Sequence, residues 1–405
     1  GSNGIKHLKL LRDAGINTLH LLPSFDIGTI NEQKDEAITL NDTLSSICQR
    51  APRISFCQST IADDIAKNFT LEQLLAQQDP MTSDAQRIVS ELRAIDNYNW
   101  GYDPFHYTVP EGSYATEPDG ISRIVEFRKM VMNMHNLGFR VVMDVVYNHT
   151  HQAGLAETSV LDKIVPQYYH RLDTLTGKIS QSTCCDNTAT ERAMMGKLMI
   201  DSLKVWAKHY KIDGFRFDLM AHQPKALMLN AREAVREIDP DTYFYGEGWN
   251  FGEVANNQRF VQASQLELSG TEIGTFTDRL RDAVRGGNFM TNADGLRRDQ
   301  GIGNGLYVVP NDLQDETRQA DHYYNSMDIV RLGLAGNLKQ FKLQNILGET
   351  IDGSQVLYGG SPAGYALDPA DTINYVSKHD NQTLWDNHQY RLPYDMPTSQ
   401  RVRLH

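Results

Sequence analysis

Four short runs of this sequence end apolar, strand-like stretches with acidic and basic side chains. The stretch Lys211–Met220 reads Lys-Ile-Asp-Gly-Phe-Arg-Phe-Asp-Leu-Met. Arg216 and Asp218 stand two residues apart in it, so on a strand they share one face. Burying both charges costs several kcal/mol unless the pair is satisfied or used. A second run, Arg140–His149, carries Asp144 and ends on Asn148-His149. A third places Glu247 between Gly246 and Gly248, with Tyr245 and Trp249 beyond them. The fourth ends Ser377-Lys378-His379-Asp380-Asn381. Three carboxylates, Asp218, Glu247 and Asp380, are thus joined by Asp144, His149, Arg216 and His379. Cleavage of a glycosidic bond needs such a set: one carboxylic acid to protonate the leaving oxygen and one carboxylate to attack or to activate water. Arg216 would hold Asp218 ionised. The aromatic walls around Glu247 would favour its protonated form. The residues therefore suggest Asp218 as nucleophile, Glu247 as acid/base, and Asp380 as the group that orients sugar hydroxyls and favours the distorted ring.

Taken singly, each residue has a structural explanation. Asp144 could bond Arg216, His149 could cap a helix, and Glu247 could serve a turn. Taken together, they fall at one phase of a repeated helix–strand unit. Residues 5–15 have helical apolar spacing and stop at Gly15, and Ile16–Leu22 reads as a buried strand. The phrase recurs in the helix around Ile124–Met134 with strand Arg140–Tyr147, and in the helix Met195–Trp206 with strand Ile212–Asp218. It recurs again in the helix from Pro224 to near Pro240 with strand Tyr243–Gly246. Ile273–Phe276 and Ile373–Ser377 are further strand candidates, and Ile329–Leu338 suggests a helix interrupted by Gly333 and Gly336. Helices alternating with apolar strands predict a parallel sheet covered on both faces. The fold expected is an α/β (β/α)8 TIM-type barrel over residues 1–405, with its first strand before Gly1 and its last after His405. An open doubly wound sheet is the alternative, but no Gly-x-Gly-x-x-Gly run opens a helix. Long insertions are expected at 24–97, 151–187 and 286–325, all after strand-like segments. In a barrel such loops build the active face.

The 405 residues carry a net charge of −12 with 40% hydrophobic content. That supports a sizeable core and argues against a nucleic-acid partner. No apolar run has membrane-spanning length. The cysteines are Cys48, Cys57, Cys184 and Cys185. Cys48 and Cys57 flank a polar loop that a disulfide could close, whereas a bond between the adjacent Cys184 and Cys185 would be strained. Four free thiols fit the spacing equally well. No metal set is read from the sequence, and a structural calcium stays open.

The four strand ends, at Asp144–His149, Asp213–Asp218, Tyr245–Trp249 and Val376–Asn381, resemble the four signature regions of the α-amylase superfamily, glycoside hydrolase family 13. Tyr98-Asn-Trp-Gly-Tyr-Asp-Pro104 is similar to the signature of type I pullulanases, which hydrolyse α-1,6 branch bonds in pullulan, amylopectin and limit dextrins. The resemblance implies a retaining mechanism with Asp218 as nucleophile, Glu247 as acid/base and Asp380 as transition-state stabiliser. It implies Tyr102, Asp144, His149, Arg216 and His379 around the sugar at the cleavage point, with Trp249 near the next sugar. No cofactor is implied for the chemistry. The extended match resembles secreted, disulfide-bearing enzymes of Gram-negative bacteria, which fits both Cys pairs. It implies an extracellular or cell-surface location, an α-glucan substrate, and further N- and C-terminal domains outside this chain. Three other readings differ in class or specificity. One is an isoamylase- or α-amylase-like hydrolase. Another is a non-catalytic glucan-binding barrel. The third is a metal-dependent amidohydrolase using the His149-Thr150-His151 pattern.

Overall fold

The computed structural model describes residues 2–58, 68–314 and 319–405. It divides into two compact units. The first comprises Gly1–Asp218 with Asn230–Thr242, and the second Leu219–Leu229 with Tyr243–His405.

In the first unit helix and strand alternate as the apolar spacing predicts. The elements are α1 (Asn3–Asp13), β1 (Thr18–Leu21), α2 (Ser122–Asn136), β2 (Arg140–Val145), α3 (Ala193–Tyr210) and β3 (Gly214–Phe217). Ser2 caps α1 through its hydroxyl, and α3 ends at Lys211 in the left-handed conformation. Strands β1 and β2 run parallel, with Thr18 opposite Arg140 and Leu21 opposite Met143. Strands β2 and β3 continue the pattern from Val142 opposite Gly214 to Val145 opposite Phe217. Strand β3 is buried throughout and β2 after its first residue, as a strand covered on both faces should be. Strand β1 differs from the buried strand expected: its residues alternate between exposed and half-buried.

Helix α3 turns Met195, Met199, Leu203, Trp206 and Tyr210 inward at helical spacing. The buried Trp206 ring needs a partner for its N–H, and donates to the Tyr107 carbonyl at 2.9 Å. Tyr107 belongs to an antiparallel strand, Pro104–Pro110, paired with Phe25–Ile27. The sequence pattern did not suggest this ribbon, because prolines bracket it and its polar residues break the alternation. The aromatic run after Tyr98 therefore splits. Tyr98 and Trp100 are exposed, whereas Tyr107 lies in the core.

The 24–97 segment contains helices Leu44–Arg50, Ser55–Gln58, Leu71–Ala76 and Asp84–Leu92. They enclose a core of their own, including Ile38, Leu44, Ile47, Leu71, Ile88 and Leu92, with Cys48 and Cys57 packed against it. Residues 59–67 of this segment, and 315–318 of the 286–325 segment, lie outside the described residues.

The second unit contains β4 (Tyr243–Gly246), β5 (Gly274–Phe276), α4 (Asp278–Arg285), α5 (Gln319–Leu334), β6 (Thr372–Ile373) and α6 (Leu384–Arg391). Helix Lys225–Arg236 precedes β4. Strands β4, β5 and β6 are parallel, with Tyr245 opposite Gly274 and Thr275 opposite Thr372. Gly274 is required by close approach: a Cβ there would lie 2.1 Å from the Tyr243 hydroxyl. Gly333, inside α5, likewise admits the Leu280 side chain of α4. Strand β6 is shorter than the expected Ile373–Ser377. Its partner β5 stops at Phe276, and the Asn374 amide turns to the Gly333 carbonyl at 2.6 Å. Beneath this turn the buried Asp371 carboxylate accepts four backbone N–H groups, from Gly270, Glu272, Leu367 and Asp368.

Truncating Trp206 to alanine removes the ring that packs on Phe25, Phe127 and Tyr210. It should cost about 3–5 kcal/mol, read as a lowered urea midpoint with an unchanged slope.

Candidate active site

In the first unit the polar groups at the ends of β2 and β3 gather around one guanidinium. Arg216 Nη1 donates to both Asp144 oxygens, at 2.9 and 3.0 Å, and to Asp218 Oδ1 at 3.1 Å. Asp144 and Arg216 are 0% and 1% exposed, so neither charge has water to fall back on. The remaining Asp144 capacity is met by the Tyr102 hydroxyl, which donates at 2.6 Å, with His20 Nε2 at 3.8 Å. Burial works to raise the Asp144 pKa. Arg216, His20 and Tyr102 outweigh it and hold the carboxyl below its ordinary range. Burial, reinforced by the Asp144 charge, pushes the Tyr102 hydroxyl up, so it stays a proton donor.

His149 sits beside this cluster. The Tyr102 carbonyl can only accept, so His149 Nε2 carries the proton of that 2.8 Å bond. Burial holds the His149 pKa below its ordinary value. Its Nδ1 lies 2.9 Å from the Asn148 side-chain amide. Cys184 and Cys185 are bonded to each other, and Cys184 Sγ lies 3.7 Å from His149 Nε2. The second bond, Cys48–Cys57, is also formed. The other member of the His-x-His pattern, His151, bonds the Thr158 hydroxyl through Nδ1.

In the second unit Glu247 follows β4. Its Oε1 pairs with Lys378 Nζ at 2.8 Å, and its Oε2 accepts from the Leu219 backbone N–H at 3.2 Å. Leu219 has a left-handed backbone (φ 41°, ψ 50°). That conformation is costly for a side chain branched beyond Cβ and recurs at functional turns. Lys378 Nζ also lies 3.8 Å from Asp380 Oδ2. Asp380 is half exposed, and His379 and Trp249 are partly buried. Trp249 has the Arg281 guanidinium 5.8 Å from its ring centroid. Arg281 itself bonds Asp282 and the Tyr375 hydroxyl.

The structure thus brings Tyr102, Asp144, His149, Arg216 and Asp218 together in one unit, and Glu247, Asp380 and Trp249 into the neighbourhood of Lys378 or Arg281 in the other. His20, Leu219, Arg281 and Lys378 were not assigned roles from the sequence. Lys378 had a signal: it directly precedes His379-Asp380. A second acidic group, Asp26, Glu32 and Glu111, places three carboxylate oxygens within 4.8 Å of one another. It suits calcium poorly, because the Arg123 guanidinium already bonds Asp26 and Glu32.

No protein-family model matches the chain. Pullulanase from Klebsiella aerogenes is 47% identical over 409 residues, covering 100% of this chain and 37% of that protein. Chloroplastic pullulanase 1 from Arabidopsis thaliana is 41% identical, covering 100% of this chain and 39% of its own length. The crystal structure of the maltotriose complex of PulA from Klebsiella pneumoniae superposes with a TM-score of 0.91 at 46% identity, covering 99% of this chain and 43% of that one. The chain belongs to the pullulanase family of glycoside hydrolase family 13. It spans well under half the length of the relatives it matches.

Replacing Arg216 with methionine leaves the Asp144 charge buried without its guanidinium. The variant should lose roughly 3–5 kcal/mol near neutral pH. The lowered Asp144 pKa makes the native pair stabilising above the ordinary carboxylate range and ineffective once pH falls through the folded value. The deficit should therefore shrink at acid pH, below the ordinary carboxylate range, as Asp144 becomes protonated. Urea unfolding of both proteins at the two pH values measures it.

Proposed function

We propose that this chain carries the catalytic centre of a debranching glycoside hydrolase that cleaves α-1,6-glucosidic bonds in pullulan, amylopectin and limit dextrins. The observation that carries the reading is the buried Arg216, which pairs Asp218 while anchored on Asp144. A carboxylate so paired is kept ionised, as a nucleophile must be. The chain is read as part of a (β/α)8 barrel, supported by the alternation of helices with parallel strands in each unit. Insertions 24–97, 151–187 and 286–325 are read as the loops around its substrate face. Metal chemistry at His149 is not favoured, since its ring is held by Tyr102 and Asn148 and its sulfur neighbours are bonded to each other.

In the proposed reaction the Asp218 carboxylate attacks the anomeric carbon. The bond to the leaving oxygen breaks, and Glu247 gives that oxygen its proton. A glycosyl ester on Asp218 results. Glu247, now a carboxylate, takes a proton from water, whose oxygen displaces Asp218 with overall retention. Backbone continuity supports the division of roles, since Leu219, the residue after Asp218, donates its N–H to Glu247. Asp380 strengthens its bonds to sugar hydroxyls as the ring flattens. His149 and Tyr102, tied to each other and to Asp144, form a wall of the site for the same sugar, His379 is read as a further contact to it, and Trp249 offers a face to the next. The maltotriose bound by the Klebsiella pneumoniae relative is the product expected from pullulan. No cofactor enters these steps.

The natural protein containing this sequence should release maltotriose from pullulan. Asp218→Asn and Glu247→Gln should each lower turnover by about 10³-fold or more, with an unchanged far-ultraviolet circular dichroism spectrum. Panose-type products, or either variant turning over at the wild-type rate, would refute the assignment.

A further inference from the structure

Lys378 is the charged residue next to the acid/base carboxyl that the proposed reaction leaves without a task. Its Nζ lies 2.8 Å from Glu247 Oε1 and 3.8 Å from Asp380 Oδ2. The side chains of Lys378 and Glu247 are 13% and 5% exposed, whereas Asp380 is 51% exposed. The ammonium also stands 4.7 Å from the Phe276 ring centroid and 5.9 Å from that of Tyr375, so aromatic rings line its surroundings. A lysine held this closely costs desolvation and side-chain entropy. A surface ion pair does not require that cost.

We propose that Lys378 is a positioning residue for the acid/base step: it anchors Glu247 as the carboxylate that accepts the proton of water, and moves its contact to Asp380 when Glu247 takes up a proton. The inference rests on the functional reading above. It follows from the two demands placed on Glu247. The first half of the reaction needs the acid, and the second needs the base. An ammonium at 2.8 Å favours the base. A second carboxylate 1 Å further off gives it somewhere to go during the acid half; that difference is 3.8 less 2.8 Å.

Three described neighbours of this site differ from Lys378 in kind. Leu219 offers an uncharged N–H to the opposite oxygen. The Tyr375 hydroxyl is pushed up to about 12, chiefly by burial, and stays neutral. Arg281 is engaged with Asp282 and the Tyr375 hydroxyl. Asp218, which precedes Leu219 in the chain, and Asp380 are acidic, and would favour the protonated form that Lys378 opposes. His379 joins Lys378 to Asp380 in sequence.

The sign of the effect follows. By disfavouring protonated Glu247, Lys378 makes glucan turnover fall off on the alkaline side at a lower pH than it otherwise would. By favouring the carboxylate, it speeds hydrolysis of the glycosyl ester. The test uses Lys378→Met, Lys378→Gln and Lys378→Arg in the natural protein, with Glu247→Gln in parallel. The readouts are kcat/KM on pullulan across pH, and kcat on α-maltotriosyl fluoride, whose departing fluoride needs little proton assistance. Both uncharged variants should move the alkaline limb upward by roughly one to two pH units. Their turnover of the fluoride should fall about tenfold or more. Lys378→Arg should keep the wild-type limb. The glutamine variant carries the test if the methionine variant fails to fold by circular dichroism. An alkaline limb that stays at the wild-type pH in the uncharged variants, at whatever rate, overturns the proposal while leaving the functional reading intact. Wild-type turnover by Glu247→Gln removes both.

Discussion

The buried ion pair between Asp144 and Arg216 is the constraint around which the first unit is arranged. Both side chains are lost to water, and a bare charge in that position would not persist. The cost is offset because neighbouring strands β2 and β3 place the two residues opposite each other in register. The guanidinium reaches both Asp144 oxygens while Tyr102 donates to one of them. A pair of this kind adds little net stability, but it fixes the orientation of what it touches. Here it fixes Asp218, two residues along the same strand face. The same Tyr102 that completes the Asp144 shell accepts from His149 through its carbonyl. Ion pair, phenol and imidazole thus form one connected polar cluster, and a connected cluster in a dry site holds its members more sharply than separate bonds would.

The second unit solves a different problem. Glu247 must change protonation state during the proposed reaction, so a rigid bidentate clamp would be a poor partner. Its partners include a backbone N–H and a lysine. Lysine is a compact charge on a flexible stem, able to trade one carboxylate for another, whereas arginine's planar fork suits a fixed pair. Arginine beside the proposed nucleophile and lysine beside the proposed acid/base therefore match what each carboxyl is asked to do.

The sequence disclosed the elements with strong apolar periodicity. Strand β4 occupies the residues expected, β3 lies within two residues of the read Ile212–Asp218, and α3 runs from two residues before Met195 to four past Trp206. The Asp144–Arg216 bond was legible as one reading of Asp144, while strand spacing aims Arg216 and Asp218 at one face. The Pro104–Pro110 ribbon was hidden by its own prolines, and the shortness of β6 depends on where its partner strand stops. Lys378 illustrates the deeper limit. Its meaning comes from a contact with Glu247, 131 residues away in sequence, and no local pattern encodes that. The sequence also suggested an apolar wall that would keep Glu247 protonated. The structure places an ammonium on that carboxyl, which favours the opposite state.

The central claim is that Asp218, held ionised by Arg216, forms the covalent bond to the sugar. A fluorinated α-glycosyl fluoride that accumulates the glycosyl-enzyme, followed by proteolysis and peptide mass spectrometry, tests it directly. The account predicts a single sugar adduct on the peptide containing Asp218, lost in Asp218→Asn. An adduct on Glu247, Asp380 or Asp144, or full turnover with no adduct at all, would contradict it.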